Sequence, residues 1–161
     1  MKNKALRYVT LVLLVFWMCV IFGFSSQTAE VSTGTSNKVI EKVVSVVYPD
    51  YDALDEPEKQ QVITSFTLPV RKAAHFLEFA VLGALFFMFF STFDGLFKKS
   101  RFGFSLAAGF VYAVTDEVHQ SFISGRACRA MDLLIDFSGI LLAVTACFLF
   151  AFLRRRKKVE Q

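Results

Sequence analysis

Charge is scarce in this chain, and so are the residues that staple small soluble domains. Only 20% of its 161 residues are Asp, Glu, Lys or Arg, while 55% are hydrophobic and 20 are Phe. The mean hydropathy of +0.50 lies outside the range of an ordinary soluble domain. So little polar surface in so short a chain excludes a large soluble catalytic domain, and any chemistry has to sit in or beside a bilayer. The three cysteines, Cys19, Cys128 and Cys147, have no metal-ligand spacing, and two of them lie inside apolar runs, so no intrachain disulfide is expected. A Gly-rich phosphate loop, an HExxH metal signature, an internal repeat and a low-complexity tract are all missing. Basic residues exceed acidic ones, 18 to 14, but they gather at the ends of apolar runs. That placement makes them topology signals and argues against a nucleic-acid partner.

What the chain does have is four long apolar runs, at residues 6–24, 73–93, 102–122 and 133–153. Each approaches the roughly 20 residues a helix needs to cross about 30 Å of hydrocarbon. They predict an all-α polytopic membrane protein, a four-transmembrane-helix bundle forming one domain over residues 1–161, with residues 25–72 as its outer loop. The first run follows Lys2, Lys4 and Arg7, is longer than a signal peptide's apolar region and lacks a small-x-small site before Ser25. Met18 stands where a lipobox needs a small residue before Cys19, so the run reads as an uncleaved span. Lys98, Lys99 and Arg101 and the basic run at 154–158 place both termini in the cytoplasm and the acidic segment 25–68 outside. Arg126 and Arg129 oppose this rule and call for a local explanation. Within the outer loop, Val39, Ile40, Val43, Val44 and Val47, and then Val62, Ile63 and Phe66 after Pro57, recur at helical spacing. They predict two short amphipathic helices, on the membrane surface or capping the bundle's outer mouth, with Pro69 in the first turn of the second span.

The informative residues are the polar ones that interrupt the spans. Arg71, His75 and Glu78 share one helix face with Leu82. Asp116 and Gln120 are four apart and Glu117 and Gln120 three apart near the end of the third span, and Asp132 and Asp136 are four apart at the start of the fourth. With the topology above, all three patches fall at the outer end of the bundle. The third span is apolar or small only over 102–115, about 21 Å of helix, so Asp116 and Glu117 enter the outer half of the bilayer. A charge there costs up to about 2.5–3.5 kcal/mol and normally faces the bundle interior with a partner. Five carboxylates, Glu78, Asp116, Glu117, Asp132 and Asp136, face four fixed cations, Arg71, Lys72, Arg126 and Arg129, in a nearly balanced cluster, with His75 and His119 able to titrate.

These residues also carry a resemblance. RKAAHFLEFAVLG, then DEVHQSFISGRACRAMDLLIDFSG, and WMCVIFGFSSQ in and after the first span resemble the VanZ-like family of small bacterial membrane proteins over nearly the whole chain except the outer loop. His75 and Glu78, then Asp116, Glu117 and Gln120, then Gly125 and Arg126, then Asp132 fall in the family's order. Two departures are Asp136, where the family often has Asn, and Ala143, where it often has Gly; the first adds a charge to the site and the second alters helix packing. The resemblance implies a role in the cell envelope and in lowered susceptibility to teicoplanin-type glycopeptide antibiotics, and no particular reaction.

Three readings of the cluster follow. In one, the charges are a buried network that only sets helix order and register. In another, His75, Glu78, Asp116, Glu117 and Asp132 are the acid, base and metal-ligating groups of a membrane-embedded, metal-dependent hydrolase or transferase acting on a lipid-linked substrate. His119, off the Asp116–Gln120 face, reads as an interfacial hydrogen-bonding residue. In the third, Arg71, Lys72, Arg126 and Arg129 bind an anionic lipid or lipid-linked cell-wall component at the outer leaflet, with Gln120 and Asp136 among the binding groups.

Overall fold

The computed structural model describes residues 2–126 and 129–159, apart from the side chains of 2, 3, 29–33, 35, 36, 38 and 155–159. Cys128, one of the three thiols, lies outside the described residues; Cys19 and Cys147 are free. The described chain is all helical: α1 (Lys2–Ser25), α2 (Ala29–Val47), a 3-10 turn at Tyr51–Ala53, α3 (Glu56–Ser91), α4 (Lys98–Gln120) and α5 (Ala130–Val159). Among the described residues, α1, α3 and α5 are long and apolar enough to cross a membrane. α4 falls short of that measure because its 23 residues begin with Lys98, Lys99 and Arg101 and end around Asp116 and Glu117.

Side-chain contacts set the helix directions. Arg7 near the start of α1 donates from Nη2 to the Thr92 carbonyl just after α3 (3.2 Å), while Ser25 at the end of α1 meets Asp116 near the end of α4. Phe102 of α4 packs edge-on against Phe148 of α5, and Lys98 lies over the Phe152 ring. So α1 and α4 run one way, α3 and α5 the other, and the four helices share a basic end and a polar end. Their common core is Leu14, Ile21, Phe79, Leu82, Phe86, Phe87, Ala113, Ile140 and Val144. Leu77, Val81, Val111, Leu134 and Leu142 on the outside are exposed, an arrangement costly in water and natural in hydrocarbon.

The closest crossing joins α3 and α5, and glycine makes it possible. A Cβ on Gly83 would lie 2.9 Å from Ile140 Cα, one on Gly109 of α4 2.8 Å from Ile140 Cγ2, and one on Gly139 would collide with the Phe76 carbonyl oxygen. Ile140 is thus a knob seated against two glycine surfaces, the close approach that small residues permit between membrane helices.

Outside this bundle, α2 pairs with the first part of α3 around a second core of Ile40, Val44, Tyr51 and Ile63, flanked by Leu54, Val62, Phe66 and Val70. The Asp55 side chain accepts from Glu58 N–H (2.9 Å) and the Glu58 side chain accepts from Asp55 N–H (3.3 Å), a reciprocal capping box that starts α3 with Pro57 in its first turn. Two expectations are corrected here. Val62, Ile63 and Phe66 do not form a separate short helix, and Pro69 is not in a first turn: both lie within the single 36-residue α3. Proline leaves the Ser65 carbonyl without its helical donor, yet packing of Ile63 and its neighbours on α2 holds the helix through that point.

Candidate functional site

The polar end is built from five segments, four helices and a turn. The last turns of α4 bury Asp116, Glu117 and Gln120, and the end of α1 buries Ser25 against them. Ser25 Oγ donates to Asp116 Oδ2 (2.9 Å), Gln120 Nε2 donates to the same oxygen (2.7 Å), and Gln120 Nε2 also approaches Ser25 Oγ (3.3 Å). The i, i+4 spacing of Asp116 and Gln120 had placed them on one face, and that face turns inward as a unit.

From α3, Arg71, His75 and Glu78 are half-buried and Leu82 below them is fully buried. From α5, Asp132 is half-buried and Asp136 is only 1% exposed. His75 Nδ1 lies 3.8 Å from Asp136 Oδ1. The contact follows from the crossing described above: Phe76, beside His75, touches Gly139, one turn from Asp136. His75 also feels the charges of Asp116, Arg126, Arg71 and Asp132, and Glu78 those of Asp116 and Arg126.

The turn between α4 and α5 supplies the fifth segment. Gly125 takes φ 76°, a left-handed conformation that side chains disfavour, and so turns the chain to bring Arg126 back over the bundle. Arg126 is half-buried, and its Nη2 makes only a long 3.5 Å bond to the Phe24 carbonyl, while its buried Nε has no hydrogen-bond partner. Burial first, and then the neighbouring Arg71 guanidinium, push the Arg126 pKa below its ordinary value, against the pull of Asp116, Glu117 and Glu78. The charges of two guanidinium groups from different segments thus act on each other.

Other residues fall elsewhere. Arg129 points its side chain to the exterior and enters the site only through its backbone N–H, which donates to Glu117 Oε1. Lys72 is half-buried. Helical phase thus puts Arg71 on the half-buried face of α3, while Arg129 after the turn is exposed. His119 stacks on Phe22 (centroids 4.4 Å) with Nε2 3.1 Å from Ser26 Oγ, off the cluster. Among the described residues, no three His, Cys, Asp or Glu side chains are placed to hold a metal ion together.

Sequence reasoning missed three groups. Ser25 read as the first loop residue, although its place in WMCVIFGFSSQ was a signal. Trp17 Nε1 donates to the Glu78 carbonyl (2.9 Å) and Tyr112 OH to the Met18 carbonyl (2.6 Å), tying α1 to α3 and α4 beneath the site. Both are aromatic residues inside apolar runs, where periodicity says nothing of a polar tip's partner.

Comparison with curated proteins and with solved structures found no match. A family model, VanZ/LLP1, does match, over residues 10–151, which takes in every helix of the bundle and every side chain of the polar cluster. This membrane protein, with its polar cluster spread over four helices and the turn after α4, belongs to the VanZ/LLP1 family.

Proposed function

We propose that this VanZ-like protein spans the bacterial plasma membrane four times with both termini in the cytoplasm. At the outer leaflet it binds the anionic headgroup of a lipid or lipid-linked envelope component, and so lowers susceptibility to teicoplanin-type glycopeptides. The observation that carries the binding reading is Arg126, half-buried with its Nε unpartnered and a single 3.5 Å bond, on which the charge of the half-buried Arg71 also acts. A scaffold has no reason to crowd two cations, whereas a phosphate between them would accept from both planar forks. Fourfold crossing is supported by α4, whose 23 residues reach from the basic end to the polar end and whose Phe104, Phe110, Val111 and Val118 are exposed. Orientation rests on the bias of Lys and Arg toward the cytoplasm.

Topology is tested by cysteine labelling in intact cells: positions in 25–68 should label from outside, and labelling of Lys98→Cys from outside would sink the arrangement. Binding is tested with Arg126→Lys, which keeps the charge and loses the fork. Lipid retention and the susceptibility phenotype should fall while membrane abundance holds. Unchanged susceptibility to teicoplanin-type drugs on deletion and on overexpression counts against the envelope role.

A second reading, hydrolysis or transfer on a lipid-linked substrate, is favoured by one contact, the Ser25 hydroxyl held 2.9 Å from Asp116 Oδ2. It would place a hydroxyl beside a base under a guanidinium group. Turnover of a lipid-linked substrate that is lost in both Ser25→Ala and Asp116→Asn, with lipid retention intact, would establish it.

A further inference from the structure

The polar end has two tiers. Arg126 precedes α5, and Arg71 lies one turn before His75 on α3. Deeper in, Asp136 sits six residues, about 9 Å, inside α5 from Ala130. The carboxylates of Asp116, Glu117, Asp132 and Glu78 are among the charges that act on Asp136. Asp136 is 1% exposed and neither of its carboxylate oxygens has a hydrogen-bond partner; Asp116 is 4% exposed and its Oδ1 has none. His75 Nδ1, also without a hydrogen bond, stands 3.8 Å from Asp136, too far to satisfy it. Buried acceptors from two helices thus converge where carboxylates outnumber cations. Such a place suits a group that is positively charged and carries several N–H donors, which describes a primary ammonium.

We propose that the ligand of this end is an amine-bearing lipid phosphate, with the phosphate between Arg71 and Arg126 and the primary ammonium on Asp136 and Asp116. The proposal rests on the anionic-headgroup reading above and names its chemical class. A phospholipid with an ethanolamine headgroup presents this pair of charges, and so does a polyprenyl-linked wall precursor with a free amine. The two tiers require both charges on one molecule: an anionic lipid without the amine leaves the carboxylates unanswered. A quaternary amine brings charge but no N–H.

The experiment uses the full chain in detergent micelles and native mass spectrometry with three phospholipids of matched acyl chains. Phosphatidylethanolamine should be retained about tenfold over phosphatidylglycerol and phosphatidylcholine, the discrimination expected of a charge-assisted hydrogen bond. Asp136→Asn should lower phosphatidylethanolamine to the level of phosphatidylglycerol and leave phosphatidylglycerol unchanged. Because a variant at a buried position can fail to fold, the comparison in the unaltered protein is decisive by itself. Equal retention of all three lipids overturns the amine assignment and leaves the anionic reading standing. Retention of none above the level seen in Arg126→Lys overturns the anionic reading itself. Displacement of phosphatidylethanolamine by the free-amine wall precursor, but not by its N-acetylated form, assigns the site to the wall precursor. Failure of both precursor forms to displace it assigns the site to the phospholipid, and equal displacement by both overturns the proposal.

Discussion

The two ends of the bundle use arginine in opposite ways. At the basic end Arg101 donates from Nε to the Leu96 carbonyl and from Nη2 to the Phe93 carbonyl, both at 3.0 Å, closing the turn between α3 and α4. Arg7 joins it there, its guanidinium 4.0 Å from the Phe93 ring centroid and donating to the Thr92 carbonyl. The Phe93 and Leu96 carbonyls belong to the turn after α3 and the Thr92 carbonyl to the C-cap of the helix, so the two arginines stabilise this turn and the helix end it follows. At the polar end Arg126 has a single 3.5 Å bond and a buried Nε without a partner, beside another guanidinium. Arg7 Nε is buried without a partner as well, so what sets Arg126 apart is that its one bond is long and that the charge of a second guanidinium, Arg71, acts on it.

That comparison can be broken from either side. The largest effect is expected at the crossing that supports the polar end. Gly139→Ala drives a methyl group into the Phe76 carbonyl, and should cost about 3 kcal/mol, read as a lowered thermal midpoint in detergent together with loss of lipid retention. A stable Gly139→Ala protein that still retains lipid would detach the site from the crossing. Next, Arg101→Met removes two bonds to carbonyls of the turn between α3 and α4 and should cost about 2 kcal/mol without altering headgroup preference. The matched change at the other end, Arg126→Lys, should leave stability within about 0.5 kcal/mol while lipid retention falls. Equal losses of stability in the two variants would erase the distinction between the ends. Ser25→Ala, which takes one of two donors from Asp116 Oδ2, should cost about 1 kcal/mol in the same unfolding measurement. The smallest effect belongs outside the bundle: Lys59→Ala breaks a 3.6 Å pair with a largely exposed Glu56 and should change the midpoint by no more than about 0.5 kcal/mol.

The helical elements were legible because their signals are local. Apolar length marks α1, α3 and α5, and helical spacing marks the buried stripe of Ile40 and Val44 on α2. The run 56–68 misled because Pro69 is a local stop signal, and packing against α2, which lies far away in sequence, outweighed it. At the site, Asp116 with Gln120, and Arg71 with His75 and Glu78, could be grouped from i, i+3 and i+4 spacing alone. Ser25 could not, since its partner Asp116 is 91 residues away. Arg126 and Arg129 looked equivalent in the chain, and the turn at Gly125 separated them.

By itself the amino-acid sequence determined that this is a helical membrane protein of the VanZ/LLP1 family, and which residues on each helix share a face, because hydrophobic length and the 3.6-residue period are properties of one segment at a time. Only the tertiary structure decided which faces meet: that His75 stands by Asp136, that Ser25 closes on Asp116, and that Arg126 rather than Arg129 comes near Arg71. Those pairings depend on how closely α3 and α5 approach and on one left-handed glycine, and neither a close crossing between distant helices nor a backbone angle in a loop is encoded in the period of any single segment.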